Sequence, residues 1–205
     1  MKLLIIGATG MIGSRLVAEA ESRGHSVVAA SRKGSTVGNA QPLSLEVTDV
    51  EAVVAAAQTV DLVITAVSPR TSGNAMDDAL GYGAALIEAA PQIGKRLMVV
   101  GGAGTLNLPD GTPVADVVPE PYQDEAKAMR AMYEMLAKST AGFTFMAPAG
   151  VIEPGERTGV FRLGQRAFLT DDEGNSQISA EDYAVAFMDE VEVPKHPRQV
   201  FTAAY

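Results

Sequence analysis

The chain has 205 residues and a net charge of −9, a length that suits one domain and leaves little room for a second, substrate-binding lobe. Hydrophobic residues make up 47% and charged residues 20%, which excludes a disordered chain. There is no cysteine, and only two histidines, His25 and His196. Disulfides, thiolate metal sites, a cysteine nucleophile and a multi-histidine metal centre are therefore excluded.

Strand-length apolar runs alternate with helical patterns along the chain. Leu3–Ile6 reads as a first buried strand. Met11–Arg23 follows as a helix with Ile12, Leu16, Val17 and Ala20 on one face, ended by Gly24. Ser26–Ala30 is a second strand and Pro42–Val47 a weaker third. Thr48-Asp49-Val50-Glu51 reads as a capping box for an alanine-rich helix over 49–58. Asp61–Val67 is a fourth strand, and Asn74 caps a helix that runs to about Ala90. Arg96–Val100 is a fifth strand, Pro121–Ser139 a long helix and Phe143–Ala147 a sixth strand. Ser179-Ala180-Glu181-Asp182 opens one more helix, and Gln199–Ala203 is a last strand.

This alternation predicts an α/β fold, a Rossmann-type doubly wound and mostly parallel sheet in a single domain spanning 1–205. Two longer irregular stretches, Gly101–Glu120 and Gly150–Ser179, leave the carboxyl ends of strands. Open α/β sheets bind ligands at those ends, so both loops are assigned to an acceptor site.

The charge is uneven. Residues 1–40 carry Lys2, Arg15, Arg23, Arg32 and Lys33 against only Glu19 and Glu21, and the rest of the chain is strongly acidic. An acidic protein is a poor partner for nucleic acid, whose phosphates need neutralising. No run reaches the roughly 18 apolar residues of a membrane span, and the apolar start before Gly7 is too short for a secretory signal. The expectation is a cytoplasmic protein whose partner is a small molecule, with neither membrane nor nucleic acid.

Gly7-Ala8-Thr9-Gly10-Met11-Ile12-Gly13 lies between the first strand and the first helix. Its spacing is G-x-x-G-x-x-G, and each glycine has its own reason to be there. Gly7 turns the chain, Gly10 lets a pyrophosphate approach, and Gly13 seats the helix on the sheet. Thr9, Met11 and Ile12 then offer backbone N–H groups and a positive dipole end to phosphates. In this strand–turn–helix setting the motif is a strong dinucleotide signal. At the end of the second strand, an NAD site usually has a carboxylate for the ribose 2′-hydroxyl. Here the residues are Ser31, Arg32 and Lys33, which fit a 2′-phosphate instead. NADP(H) is expected to be preferred over NAD(H).

These features resemble the atypical short-chain dehydrogenase/reductases, in the NmrA-like NAD(P)-binding branch, and within it the NADH-flavin reductase-like proteins. The carriers are Leu3–Arg32, Val99-Val100-Gly101-Gly102-Ala103-Gly104-Thr105-Leu106, Ile178–Ala184 and the ending Phe201-Thr202-Ala203-Ala204-Tyr205. The resemblance implies that Glu46 and Val47 meet the adenine, although an aspartate is more usual at Glu46. It implies that Ala66, Val67 and Ser68 line the nicotinamide ribose, that Gly101 and Gly102 lie beside the nicotinamide, and that Pro148 and Ala149 flank its ring and carboxamide.

Many relatives in that superfamily use Tyr-x-x-x-Lys on the long helix for proton transfer. The tyrosines Tyr82, Tyr122 and Tyr133 are followed four residues on by Leu86, Ala126 and Ala137. Lys127 stands five after Tyr122, about 140° round the helix. Without that pair a carbonyl substrate lacks its proton donor, whereas a flavin or quinone delocalises charge and can take its proton from solvent. Tyr122 is the remaining candidate for stacking on an acceptor or donating a proton. Arg157, Arg162 and Arg166 are candidates to meet an anionic acceptor such as a flavin phosphate. Three functions fit the residues. The first is an NAD(P)H-dependent reductase of a flavin, quinone or similar acceptor, with flavin as substrate and not prosthetic group. The second is a non-catalytic NADP(H) sensor. The third is an epimerase, dehydratase or carbonyl reductase that uses another acid.

Overall fold

The computed structural model describes residues 1–205. Its first half runs β1 (Lys2–Ile6), α1 (Met11–Ser22), β2 (Ser26–Ser31), β3 (Gln41–Ser44), α2 (Val50–Ala57), β4 (Leu62–Thr65), α3 (Ala75–Ile93) and β5 (Leu97–Val100). A 3-10 turn at Ala103–Thr105 leads to α4 (Val114–Val117), α5 (Glu120–Lys138) and β6 (Phe143–Ala147). The chain ends with β7 (Val151–Glu153), β8 (Arg162–Gly164), β9 (Gln177–Ser179), α6 (Ala180–Glu192) and β10 (Val200–Ala204). No helix is long and apolar enough to cross a membrane.

Eight strands form one sheet in the order β3-β2-β1-β4-β5-β6-β10-β8, all parallel except β8, which runs antiparallel to β10. The chain leaves β1 towards β2 and β3, then returns to place β4 on the other side of β1. Ile6 thus lies between Ala30 and Thr65 at the carboxyl edge. Strand order reverses here, and crevices at such points bind ligands.

The sheet is covered on both faces. Leu4 and Ile6 belong to a core cluster of 29 residues under α2, α3 and α5, and Leu3 and Ile5 to one of 25 under α1 and α6. Near-equal cores explain why β1 is apolar at successive positions instead of alternating. Each of these fully buried Leu and Ile side chains contributes roughly 1.5–3 kcal/mol.

Local chemistry sets most element ends. The Asn74 side chain accepts from the N–H groups of Met76 (3.1 Å) and Asp77 (3.2 Å), and Ser179 Oγ accepts from Asp182 N (2.9 Å), as the sequence predicts. α2 departs by one residue: Asp49, not Thr48, is the cap, accepting from Ala52 N at 3.0 Å. α3 continues past Ala90 through Pro91 to Ile93, and Gly94 closes it at φ +62°. A proline so near the end removes little of the helix ladder. β3 stops at Ser44 instead of Val47. Beyond it Leu45 and Val47 are buried, but the Asp49 N–H turns back onto Glu46 O (3.0 Å), ending the strand. The stretches expected to be irregular contain the 3-10 turn, α4 and the three-residue strands β7, β8 and β9, and β7 pairs with β9 in a small parallel sheet.

The strap between β7 and β8 is tied to α1 and α6 by charge. Glu19, 5% exposed, accepts from Arg157 (2.8 and 2.9 Å) and from Arg23 (2.7 Å), while Arg23 also reaches Asp189 and Glu192. Hydrogen bonds from Arg157, opposed by burial and reinforced by Arg23, hold the Glu19 carboxyl below its ordinary value of 4.5. Its folded value lies below its unfolded one, so its stabilisation is complete above that unfolded value and is lost as pH falls through the folded one. The wild-type melting temperature is therefore expected to fall as pH drops below the ordinary carboxyl value of 4.5. Glu19→Gln, which costs about 1–3 kcal/mol near neutrality, should show a flatter acid limb, and parallel profiles would contradict this assignment.

Candidate functional site

The glycine turn is built by close approach. Gly7 leaves β1 at φ +86°, and both its N–H and that of Ala8 donate to Ala30 O (2.9 and 3.1 Å). A Cβ on Gly7 would stand 2.5 Å from Ala66 O, and one on Gly13 would stand 2.1 Å from Gly7 O. Neither position has room for a side chain. Gly10 differs, because its nearest neighbour, Gly7 O, would be 3.3 Å from an added Cβ. Its open side faces the solvent.

α1 starts without a side-chain cap and without an acid in its first turn. Ser14 N is the first to find a helical partner, Gly10 O at 2.9 Å, and the N–H groups of Met11, Ile12 and Gly13 have no protein acceptor. Uncapped N–H groups at the positive end of a helix form an anion site.

A cleft of about 180 Å³ opens beside this helix end. Gly7, Thr9 and Gly10 line it from the turn, Ser31 and Arg32 from the end of β2, Glu46 and Val47 from beyond β3, and Ala66, Val67 and Ser68 from beyond β4. Ile6, Leu45, Thr71 and Tyr82 complete the wall. Met11, Ile12 and Gly13 bear on it through the helix end, and Lys33 is exposed outside it.

Arg32 is exposed and its guanidinium makes no hydrogen bond, unlike any other arginine of the chain. Arg15, Arg23, Arg70, Arg96 and Arg157 pair with carboxylates. Arg130, Arg162, Arg166 and Arg198 donate to backbone carbonyls. Ser31 Oγ accepts from Ser35 N (3.1 Å), which leaves its own proton free to donate. The Glu46 carboxylate folds back onto Val47 N (3.1 Å).

Gly101, Gly102, Pro148 and Ala149 lie farther along the same sheet edge, beyond β5 and β6, and do not line the cleft. Gly101 N donates to Met146 O (2.8 Å), and Phe145 fills the place of a Gly101 Cβ at 2.0 Å. From α6, the fully buried Tyr183 donates to the same Met146 carbonyl (2.7 Å). Burial pushes its phenol well above the usual range, so it stays a donor and braces this edge.

The catalytic candidate stands apart. Tyr122 is 63% exposed near the start of α5, has no side-chain partner and lies outside the cleft. Lys127 reaches Gln123 (3.3 Å), not Tyr122. All three arginines considered for an anionic acceptor are engaged: Arg157 holds Glu19, and Arg162 holds the carbonyls of Thr170 and Tyr205. Arg166 donates to Thr105 O and stacks over Tyr133 at 5.1 Å. Both histidines are structural, His25 against Glu192 and His196 against Glu190, each at 2.8 Å. Thr71 and Tyr82 as cleft walls, and Tyr183 as a brace, carry no sequence motif; only the fold brings them into place.

Residues 7–194 match the model of a family described as NAD(P)H-binding. The chain belongs to this NAD(P)H-binding family. It is 32% identical over 209 residues to the uncharacterised Bacillus subtilis protein YwnB, covering 98% of this chain and 97% of that one. A Burkholderia pseudomallei protein, provisionally named as exported, superposes with a TM-score of 0.91 at 41% identity over 100% of both chains. A Streptococcus pneumoniae protein provisionally named an NADH-flavin reductase gives 0.84 at 29% identity, covering 100% of this chain and 99% of that one. The sequence resemblance and the fold agree with this membership.

The glycine geometry separates folding from binding. Gly10→Ala asks the Gly7 carbonyl to give by only a few tenths of an ångström and should change stability by no more than about 1 kcal/mol, while weakening dinucleotide binding at least tenfold because its methyl enters the phosphate approach. Gly13→Ala must displace α1 and is expected to lose about 1–3 kcal/mol as well as binding. Thermal melts and calorimetric titration of both variants check this.

Proposed function

We propose that the protein is an NADPH-dependent reductase that passes hydride to a flavin, quinone or similar conjugated small molecule, taken up as a substrate and released. The observation that carries the cofactor part is Arg32, the unpaired arginine at the mouth of the cleft, beside a hydroxyl whose proton is free. An unpaired guanidinium fits a doubly charged 2′-phosphate by bidentate hydrogen bonds, and a charged contact of this kind is worth about 1.5–3 kcal/mol. The uncapped start of α1 takes the pyrophosphate.

When bound, the reduced nicotinamide supplies the hydride. The residues of the sheet edge hold and orient the ring: Ala66, Val67 and Ser68 on one side, Gly101 and Gly102 beyond β5, and Pro148 and Ala149 beyond β6. Tyr183 keeps that edge rigid from below through Met146. No residue of this edge is arranged as a Tyr–Lys proton donor, and Tyr122 is exposed and unpartnered. A conjugated acceptor tolerates this, since its proton comes from water in the open site formed by loops 101–120 and 150–179. The reaction is assigned to the cytoplasm, with neither nucleic acid nor membrane as partner. The same lack of a proton donor favours a second reading, an NADP(H) sensor without turnover.

NADPH is expected to bind at least about tenfold more tightly than NADH, equivalent to about 1.4 kcal/mol, and Arg32→Ala should erase the difference. Equal affinities in the unmutated protein would contradict the cofactor assignment. Mixing protein and NADPH with FMN, riboflavin or a quinone, and following the nicotinamide absorbance, separates the two readings. Acceptor-dependent oxidation supports the reductase. Tight binding without oxidation by any acceptor supports the sensor, and oxidation by aldehydes or ketones alone would refute both.

A further inference from the structure

The loop that follows β4 lines the same cleft as Arg32. Ser68 and Thr71 of this loop line the same cleft as Ser31, Arg32 and Glu46. Two residues of α3, four apart and so on one face, hold the loop in place. Asp78 accepts from Thr71 N (2.6 Å) and Ser72 N (3.0 Å). Its carboxyl lies below the ordinary range, chiefly through the Ser72 hydrogen bond and, to a smaller extent, through the Coulomb attraction of Arg32. Arg32 and Thr71 line the same cleft.

Tyr82 is the second tie. It is 5% exposed, and its hydroxyl has a single partner, Thr71 Oγ1 at 2.9 Å. A phenol is a better donor and a poorer acceptor than an aliphatic alcohol, so the shared proton comes from Tyr82. Thr71 Oγ1 then accepts from within and keeps its own proton, for which the protein offers no acceptor. Ser31 is in the same state, because a backbone N–H occupies its oxygen. Two hydroxyls preset as donors and one unpaired guanidinium thus face a common cleft. A donor set of this kind matches an acceptor-only anion such as a phosphate monoester.

We infer that Thr71 is a second specificity-determining contact for the cofactor's 2′-phosphate, in the cleft it shares with Arg32, and that Tyr82 is the positioning residue that turns its hydroxyl into a donor. This rests on the NADPH reading above. Neither residue belongs to the glycine motif or to the end of β2.

The test compares 2′-phospho-ADP-ribose with ADP-ribose by calorimetry on the full chain, and reads the ratio of their affinities. Thr71→Val should lower the ratio about tenfold by weakening only the phosphorylated ligand, whereas Thr71→Ser should retain it. Tyr82→Phe should lower it in the same direction. In a Thr71→Val background Tyr82→Phe should lower it no further, a non-additivity that a merely structural tyrosine would not show. If Thr71→Val leaves the ratio intact, or weakens both ligands equally, while Arg32→Ala still collapses it, this inference is overturned and the NADPH reading stands. A wild-type ratio near one that Arg32→Ala does not change overturns both.

Discussion

The contact between the first turn of α1 and the end of β1 governs this molecule. An added Cβ on Gly13 would lie 2.1 Å from the Gly7 carbonyl oxygen, so the helix can seat there only because glycine stands at position 13. That approach fixes where the helix starts. It leaves Met11, Ile12 and Gly13 with free N–H groups and no acid to neutralise the helix dipole. The sheet then places other residues around this point. Ala30 O anchors the turn from β2, and Ala66 O presses against Gly7 from β4. Reversal of strand order at β1 brings the ends of β2, β3 and β4 to the same cleft.

Charge is distributed to the same effect. The chain is acidic overall, and its carboxylates take up nearly every arginine that backbone carbonyls do not. Glu19 alone holds Arg23 and Arg157 and binds the strap after β7 to α1. Arg32 escapes this pairing and stands at the cleft. A protein with many spare acids has left one guanidinium unpaired at the cleft, and that contrast supports the proposed preference for NADPH.

Much of this is legible in the sequence because the signals are local. The β1–turn–α1 unit, the caps at Asn74 and Ser179 and the buried strands β4 to β6 follow from short-range periodicity and hydrogen-bonding chemistry. The apolar pattern over-extends β3, since Leu45 and Val47 are as buried as strand residues although the chain has already turned towards the cleft. Three-residue strands such as β7 and β9 are too short to show a period. Asp49 and Thr48 are both good caps, and only the observed backbone chooses Asp49. Ten of the expected cofactor residues, Gly7, Thr9, Gly10, Ser31, Arg32, Glu46, Val47, Ala66, Val67 and Ser68, converge on one cleft. Thr71 and Tyr82 join them only through the packing of α3 against the loop after β4, which no spacing encodes.

On the side proposed for the acceptor, Phe145 packs against Gly101 and Tyr183 bonds the Met146 carbonyl that also receives the Gly101 N–H. The central claim concerns the other side, where free backbone N–H groups at the start of α1 receive the pyrophosphate. An amide-resolved NMR titration of isotope-labelled protein with NADP+ addresses those groups one by one. The account predicts that the amides of Met11, Ile12 and Gly13 shift first and farthest, together with those of Ser31 and Arg32. Shifts centred elsewhere, with the head of α1 unmoved at saturation, would contradict it.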